Sequence, residues 1–345
     1  MISGLREAGC DVVPVDAGHP ALRRIGDRLG MSWADQAANP MIASLSGRIA
    51  DRRLRAAGQL DGVVMIGSGY SLSTSLPLVT FEDMTVAQAL GQPEPVYESL
   101  AGAAATRWRE RQGRNYERSR GCCVASNWAA RSLRDDYGVP AAKVHVVGFG
   151  ANVAIDPAGR NWEPPRFLFV GVDWERKRGA AVVEGFAAVR ERYPEAQLEL
   201  VGKHARVEAS GVIDHGLLPL GSEQARNRYV ELLEGATCLV MPSRFEPFGI
   251  AYLDAAVAGT PSIGTTAGGA ADAVGEGGLL VDPEDEGALA EAMVSMADAD
   301  TAKQLGARAR ARLPQITWRA VAERVLGALG LAGSGSGRSE EEGES

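Results

Sequence analysis

The stretch VMPSRFEPFGIAYLDAAVAGTPSIGTTAGGAADAVGEGGLLVDPED, residues 240–285, decides the fold of this chain. An apolar strand end leads to an acid, Glu246, and then to Pro247-Phe248-Gly249, which opens a predicted helix that carries a second acid, Asp254. A short apolar strand, TPSIG, and a loop with two adjacent glycines follow. Strands and helices that alternate in this way are typical of an α/β protein with a mostly parallel sheet.

The beginning of the predicted helix is suited to a diphosphate. A helix N-terminus presents unpaired backbone N–H groups and the positive end of the helix dipole, here at Phe248, Gly249 and Ile250. Gly249 has no Cβ, so a ligand can approach its backbone closely. Glu246 and Asp254 are acceptors of the kind that sugar and ribose hydroxyls need. The pattern predicts a nucleotide-sugar site, and an ordinary α/β turn that happens to carry acids and glycines is the alternative.

The same alternation of strands and helices extends over most of the chain. The predicted strands lie at 11–16, 62–68, 76–81, 121–126, 143–149, 166–172, 197–202, 211–216, 236–243, 260–264 and 278–282. One helix is predicted over 126–138, between Ser126 as N-cap and Gly138. Doubly wound sheets of this kind bind ligands at the carboxyl ends of their strands.

The domain boundaries are predicted from breaks in this pattern. Three prolines and a glycine at 156–165 indicate a linker between an N-terminal domain and a C-terminal domain. The predicted parts are an N-terminal domain (1–155), the linker (156–165), a C-terminal domain (166–312), a closing helix (313–330) and a disordered tail (331–345). At 345 residues the chain is long enough for two separate cores.

Composition excludes several classes of partner and compartment. A formal net charge of -8 argues against nucleic acid as the main partner. The four cysteines have no metal-ligand spacing and suit reduced thiols. The first residues contain no apolar signal-peptide core, and no stretch reaches the length of a membrane span. We therefore expect a cytoplasmic protein.

Two acids eight positions apart around a Phe-Gly helix start resemble glycosyltransferase family 4, the glycosyl transferases group 1. The resemblance covers roughly residues 1–330. It implies the GT-B fold, in which two Rossmann-like doubly wound domains face a cleft. It also implies a retaining transfer of a hexose from a nucleotide-diphosphate sugar. The family usually has Glu at the second acidic position, so Asp254 is shorter by one methylene, and a bridging water could restore the ribose contact.

Basic residues after the strand at 166–172 match the family's diphosphate loop in part. The resemblance implies that Lys177, just before a predicted helix, holds the diphosphate. The family's arginine after the strand glycine is replaced by Val172, so Arg176 is the candidate substitute. A solvated basic turn is the alternative, although the helix dipole disfavours cations at that place. Glu246, Lys177 and Arg176 are the predicted catalytic residues.

Weaker matches complete the predicted donor site. Gly202 falls where the family's wall for the nucleobase begins, and Leu217, after His215-Gly216, falls where the backbone contacts the base. Gly268 and Gly269, followed by Asp272, resemble the family's glycine pair and its downstream acid. An ordinary strand end would also explain Gly202 or Leu217.

The beginning of the chain departs from the family. Family members begin with an apolar strand and a glycine-rich loop, whereas this sequence begins with what reads as the following helix and then the second strand, at 11–16. In a doubly wound sheet the first strand is central. Its absence would leave backbone groups unpaired, at about 1–3 kcal/mol each when buried. We expect a start that lies upstream, or a damaged first domain.

The acceptor side is less defined. Glu82 and Asp83 follow the strand at 76–81 and are the acceptor candidates, with capping of the next helix as the alternative. The segment 107–120 holds six arginines, two glutamates, one tryptophan and one tyrosine. This segment is either a contact with an anionic membrane or a solvated helix face.

The resemblance implies an enzyme of cell-envelope glycan synthesis that acts on a sugar or lipid-linked acceptor. No metal is expected, because the second half has no DxD-type acid pair beside the phosphate loop. No cofactor is expected either. The alternatives are a non-catalytic nucleotide-sugar-binding remnant and a GT-B epimerase or phosphorylase. An NAD-dependent oxidoreductase is a weak alternative, because the fragment at 67–72 lacks the third glycine of its motif.

Overall fold

The chain forms two compact units in a computed structural model that describes residues 1–18, 24, 28, 30–92, 94–98, 100, 102–155 and 159–331. The first unit comprises residues 1–125, 129–147 and the chain from 318 onward, and the second comprises 126–128 and 148–317. This division differs from the predicted domains in two ways. The chain passes between the units at 147–148 rather than at 155–156, and the closing helix packs on the first unit. The predicted disordered tail lies outside the described residues, apart from Leu331.

The first unit is a four-stranded parallel sheet with helices packed on it, in the strand order β1-β2-β3-β4. Its strands are β1 (Val63–Ile66), β2 (Leu78–Glu82), β3 (Gly121–Val124) and β4 (Val144–Val146). Its described helices are α1 (Ile2–Glu7), α2 (Trp33–Ala38), α3 (Pro40–Ala56), α4 (Val86–Leu90), α5 (Pro95–Glu98), α6 (Ala103–Arg118), α7 (Asn127–Asp135, whose first two residues are assigned to the second unit) and, at the end of the chain, α14 (Trp318–Leu329).

The predicted strand at 11–16 was wrong. These residues form neither a strand nor any strand pairing in the part of the chain that the structure describes. A strand is stabilised by hydrogen bonds to a neighbour, and β1 pairs only with β2 among the described strands. The strand order of this sheet therefore runs in one direction, whereas a complete doubly wound sheet reverses beside its first strand.

The second unit is a complete doubly wound sheet of six parallel strands, in the order β10-β9-β8-β5-β6-β7. Its strands are β5 (Arg166–Gly171), β6 (Gln197–Gly202), β7 (Val212–Asp214), β8 (Cys238–Val240), β9 (Ser262–Thr265) and β10 (Gly278–Val281). Its helices are α8 (Gly179–Arg192), α9 (Glu223–Gly235), α10 (Ile250–Val257), α11 (Ala270–Val274), α12 (Glu286–Met296) and α13 (Ala299–Ala311).

The core of the second unit explains why its central strands are continuous apolar runs. Phe167, Phe169, Leu198 and Leu200 are fully buried, and they pack with Val182 and other apolar residues of the flanking helices. Strands covered by helices on both faces need apolar side chains in both directions. The sequences FLFV and LELV fit this requirement, apart from Glu199.

Part of the predicted linker is bound to the second unit. Residues 156–158 are outside the described part, but Arg160 is held on the second unit. Its guanidinium donates to the carbonyl oxygens of Leu233, Glu234, Ala258 and Gly259 and to the Thr260 hydroxyl, at 2.7–3.3 Å. These carbonyls end α9 and follow α10, where a cation is favoured by the helix dipole.

Among the described residues, we find no helix with the length and apolar character needed to cross a membrane.

Candidate active site

The candidate active site lies at the point where the strand order of the second unit reverses. Strand β5 is central, with β6 and β7 on one side and β8, β9 and β10 on the other. The loops after β5 and β8 therefore leave the sheet side by side and in opposite directions, which opens a crevice at the carboxyl ends of the strands. The first of these loops contains Arg176 and Lys177, and the second contains Glu246.

The structure brings the three predicted catalytic residues together. Lys177 Nζ lies 2.7 Å from Glu246 Oε2, and Arg176 Nη1 lies 3.6 Å from the same oxygen. The side chains of Lys177 and Glu246 are only 13% and 8% exposed, so water screens this ion pair weakly. Two cations therefore share the Glu246 carboxylate.

Sequence reasoning missed two residues that support this ion-pair cluster. The hydroxyl of Ser243 is buried and lies 3.3 Å from Glu246 Oε2. Asp173 accepts the backbone N–H of Arg176 and lies 3.5 Å from its Nε. Ser243 could have been found in the sequence, because it ends the predicted strand at 236–243, three residues before Glu246. Asp173 has none, because an acid in a basic loop is an ordinary surface pattern.

The backbone of Glu246 is fixed by the glycine pair that the sequence singled out. Glu246 forms a parallel bridge with Gly268, and its carbonyl accepts the N–H of Gly269. Gly268 has φ +97°, and an added Cβ would meet the Glu246 carbonyl oxygen at 2.3 Å. An added Cβ at Gly269 would meet the Pro247 carbonyl oxygen at 2.2 Å. Only glycine permits this close approach of the two loops.

Gly249 begins α10 at the edge of the same cluster. It is the N-cap of α10 and has φ +87°, next to Phe248, which is buried, and Ile250, the first helical residue. The first backbone N–H groups of an α-helix have no partner inside the helix. Those of α10 therefore form the predicted anion-binding end, adjacent in sequence to Glu246.

We expect Gly249→Ala to destabilise the second unit by about 2–3 kcal/mol. A left-handed backbone costs a residue with a Cβ about 1–2 kcal/mol. The new Cβ would in addition lie 2.5 Å from the Tyr252 ring. Urea unfolding measures the effect. The matched control is Gly327→Ala on α14, where a Cβ meets nothing within 4 Å and should stabilise by about 0.5–1 kcal/mol. Equal effects of the two substitutions would contradict the assigned role of Gly249.

Asp254 is placed inside the second unit rather than in the ion-pair cluster. Its side chain is held by the backbone N–H of Asn152 at 2.7 Å and by the Tyr229 hydroxyl at 3.2 Å. The residue is 4% exposed, and burial raises the pKa of its carboxyl to about 6, against the effect of these hydrogen bonds. The structure thus shows an internal role for Asp254, and a contact with the ribose stays a prediction.

The residues predicted to contact the nucleobase lie at the ends of β6 and β7. The N–H of Gly202 donates to the carbonyl of Gly216 at 2.9 Å, which joins the two strand ends. A Cβ at Gly202 would collide with the Gly171 carbonyl oxygen, 1.7 Å away. Leu217 and Val172 are 55% and 65% exposed. Val172 therefore leaves apolar surface where the family has a charged arginine.

The acceptor candidates lie in the first unit. Glu82 ends β2, and its carboxylate accepts the Tyr116 hydroxyl at 2.5 Å and the Gln112 side-chain amide at 2.7 Å. Asp83 follows it and is half-buried. Burial raises the pKa of Glu82 to about 7, and the two hydrogen bonds oppose this shift. Glu82 thus joins β2 to α6, and a role in acceptor binding stays a prediction.

We expect Glu82 to make the protein less stable as the pH rises from 6 to 8. Burial raises its folded pKa to about 7, above the ordinary value of 4.5, so its contribution is full below pH 4.5 and is lost as the pH rises through 7. The free energy of unfolding should fall by about 1.4 kcal/mol between pH 6 and 8 through this group. Glu82→Gln should remove that part of the pH dependence. An unchanged pH profile in Glu82→Gln, measured by urea unfolding, would contradict the assignment.

The arginine-rich segment 107–120 falls mostly on α6. Trp108 and Tyr116 are buried in the first unit, and Arg111 donates to the carbonyl oxygens of Ser68 and Ala37. The aromatic residues are therefore core residues. The exposed arginines of the segment are Arg107, Arg109, Arg114, Arg118 and Arg120. A peripheral membrane contact through them stays a prediction.

A match to a known protein family covers the part of the chain that carries this candidate site. Residues 164–299 match the family model for glycosyl transferases group 1. The match lies within the second unit and includes Arg176, Lys177 and Glu246. Residues 164–299 are therefore similar to the group 1 glycosyltransferase domain.

Individual relatives and a solved structure extend the comparison. The chain is 30% identical over 207 residues to a glycogen synthase of Mycobacterium tuberculosis, covering 54% of this chain and 48% of the relative. It is 28% identical over 216 residues to a D-inositol 3-phosphate glycosyltransferase of Corynebacterium diphtheriae, covering 55% and 51%. The chain spans about half the length of these curated relatives.

The fold is shared with WaaG, a glycosyltransferase involved in lipopolysaccharide biosynthesis. The TM-score is 0.63 at 18% identity, and the alignment covers 84% of this chain and 82% of WaaG. At this identity the likeness shows the fold alone. The predicted GT-B architecture of two Rossmann-like α/β units is confirmed.

Proposed function

We propose that this chain is a retaining glycosyltransferase that moves a hexose from a nucleotide-diphosphate sugar to a sugar or lipid-linked acceptor, without a metal or other cofactor. The observation that carries the proposal is the convergence of Lys177 and Arg176 on one oxygen of Glu246, at the reversal of the strand order and just before the N-terminus of α10. The names of the two relatives support a carbohydrate or polyol-phosphate acceptor.

The ion-pair cluster suggests how the donor is held. A diphosphate that enters the site would take Lys177, Arg176 and the N–H groups of α10 as partners. Glu246 would then share its two cations with the diphosphate. Its carboxylate would accept hydrogen bonds from the hydroxyls of the hexose and so orient the sugar. Because Glu246 already holds Lys177 and Arg176 close together, little reorganisation would accompany donor binding.

The proposed transfer needs no nucleophile from the protein. The bond from the anomeric carbon to the diphosphate oxygen breaks, and negative charge grows on the leaving diphosphate. The acceptor oxygen forms the new bond on the same face, and its proton passes to an oxygen of the leaving phosphate. Lys177, Arg176 and α10 stabilise the growing charge, which is commonly the largest catalytic contribution.

A non-catalytic nucleotide-sugar-binding protein is the second candidate. The sheet of the first unit favours it, because among the described residues this sheet runs in one direction only, whereas the predicted donor residues all lie in the doubly wound second unit. An epimerase or phosphorylase of the same fold would use similar phosphate contacts. Turnover separates these candidates from the transferase, since only a transferase makes a new glycoside from a nucleotide sugar and an acceptor.

A thermal-shift panel of UDP-, GDP- and ADP-sugars without metal tests the donor site first. A ligand that binds the folded state raises the melting temperature by mass action. We expect a shift with one nucleotide series, its loss in Lys177→Ala and its retention in Lys303→Ala, an exposed lysine of α13. Acceptor screens with the active donor then measure transfer. A shift that survives in Lys177→Ala would defeat the assignment of the donor site.

A further inference from the structure

Glu82 begins a chain of hydrogen bonds inside the first unit. Its Oε1 accepts the Tyr116 hydroxyl at 2.5 Å, and its Oε2 accepts the Gln112 side-chain amide at 2.7 Å. Glu82 itself is partly buried, whereas Tyr116 and Gln112 are each only 1% exposed. Among the described residues, Glu82 has no cation as an ion-pair partner. Its carboxylate is therefore held by neutral donors alone.

The groups around Glu82 come from its own strand end, from α6, from β3 and from the residues that follow α7. The titratable groups that face it are Asp83, Tyr116, Cys122 and Tyr137. Beyond them lie three charged side chains, those of Arg109, Asp136 and Lys143. Burial and the charge of Asp83 raise the pKa of Glu82 to about 7, against the effect of its two hydrogen bonds.

The other partners of Gln112 fix the orientation of its amide. Its Oε1 accepts the backbone N–H of Val86 at 2.7 Å and the Tyr137 hydroxyl at 2.5 Å. A backbone N–H can only donate, so the amide oxygen must face Val86 and the amide nitrogen must face Glu82. Oε2 of Glu82 is therefore an acceptor, and a proton that binds Glu82 belongs on Oε1, beside Tyr116.

Each protonation state of Glu82 has one unfavourable feature. The ionised carboxylate keeps both hydrogen bonds, but it is a partly buried charge next to Asp83. The protonated carboxyl would donate to the Tyr116 oxygen, so the hydrogen of the Tyr116 hydroxyl would lose its acceptor, and the described residues show no second one. An unpaired buried donor is unfavourable. The two states are therefore close in free energy near neutral pH.

The hydrogen-bond chain ends at the beginning of α4. Gln112 accepts the N–H of Val86, and the Tyr137 hydroxyl accepts the N–H of Ala87 at 3.1 Å. The first N–H groups of a helix need acceptors from outside the helix, and these two have them. An ionised acceptor makes the stronger hydrogen bond, and hydrogen bonds in a chain strengthen one another. Ionised Glu82 thus polarises the Gln112 amide and makes its oxygen a better acceptor for Val86.

We propose that Glu82, Tyr116 and Gln112 form a proton-operated latch, which holds the beginning of α4 to α6 more firmly when Glu82 is ionised than when it is protonated. The segment 83–87 follows the carboxyl end of β2, and α/β sheets bind ligands at the carboxyl ends of their strands. The latch makes this part of the first unit respond to pH.

Residue-resolved hydrogen exchange on the full chain between pH 6 and pH 8 tests the latch. We expect the protection factors of Val86 and Ala87 to rise at least about threefold over this range, because the hydrogen bonds to their N–H groups become stronger. The protection factor of Phe81 in β2 should fall, because the free energy of unfolding falls as Glu82 ionises. Opposite changes at neighbouring sites separate the latch from a change in global stability.

Two variants identify the groups of the latch. Glu82→Gln has the shape of the protonated form, since its amide can donate to Tyr116 and accept from Gln112, so Val86 should keep the protection of pH 6 at every pH. Tyr116→Phe removes a donor that favours the ionised form, so the midpoint of the transition should rise by about one pH unit or more.

Three results would overturn the latch. They are a protection factor of Val86 that is constant or falls with that of Phe81 in the wild type, an unchanged rise in Glu82→Gln, and a midpoint in Tyr116→Phe at or below that of the wild type. The wild-type profile decides even where a variant does not fold.

Discussion

Glu246→Ala should lower kcat/KM for hexosyl transfer at least about 1000-fold, which corresponds to about 4 kcal/mol of transition-state stabilisation. Removing the carboxylate deprives the sugar of its orienting acceptor. It also leaves Lys177 and Arg176 without the charge that fixes their positions. Steady-state kinetics with the donor identified by thermal shift measure the effect.

The stability cost of Glu246→Ala should be much smaller. Arg176 keeps Asp173 and the Phe245 carbonyl as partners, so only Lys177, whose side chain is 13% exposed, loses its charged partner. We expect a loss of about 1–2 kcal/mol in urea unfolding, below the 3–5 kcal/mol typical of a broken, fully buried pair. Glu184→Ala, at an exposed position of α8, should leave both quantities unchanged. Parallel losses of activity and stability in Glu246→Ala would show a structural role only.

Arg160→Ala should lower the free energy of unfolding of the second unit by about 3–4 kcal/mol. The guanidinium donates to four carbonyl oxygens and one hydroxyl, and it stacks on Trp162 at 4.8 Å. Hydrogen bonds from a charged donor contribute about 1.5–3 kcal/mol, and their loss leaves the ends of two helices without donors. Urea unfolding measures the loss.

Two comparisons isolate the geometry of Arg160. Arg160→Lys keeps the charge but loses the planar fork, so it should cost roughly half as much. Arg192→Ala removes an exposed arginine from the C-terminal turn of α8 and should cost no more than about 0.5 kcal/mol. A loss in Arg160→Ala no larger than that in Arg192→Ala would refute the anchoring role.

The two units differ in how closely they follow sequence prediction. In the second unit every predicted strand is present, because fully buried parallel strands require continuous apolar runs that are visible in the sequence. In the first unit, residues 11–16 have the same apolar pattern but form no strand. The pattern specifies which residues suit a strand, whereas pairing depends on a neighbour that the described residues do not supply.

The acidic residues Glu246 and Asp254 likewise show that a sequence pattern does not specify the partners of a residue. Glu246 and Asp254 have the same spacing signal, yet Glu246 joins two cations whereas Asp254 bonds Tyr229 and Asn152. A separation of eight residues fixes neither which way a carboxylate points nor which donors surround it. Arg160 is a related case, since a segment rich in proline and glycine predicts a linker and gives no sign of the carbonyl groups that gather around one side chain.

The sequence by itself determined the α/β class, most of the order of the elements and the loop glycines, because these depend on local periodicity and on residue types at fixed spacing. The tertiary structure decided the pairing of Glu246 with Lys177 and Arg176, the partners of Asp254, Glu82 and Arg160, and the return of α14 to the first unit. These depend on groups distant in sequence, whose burial and hydrogen bonding arise only when the packed chain brings them together.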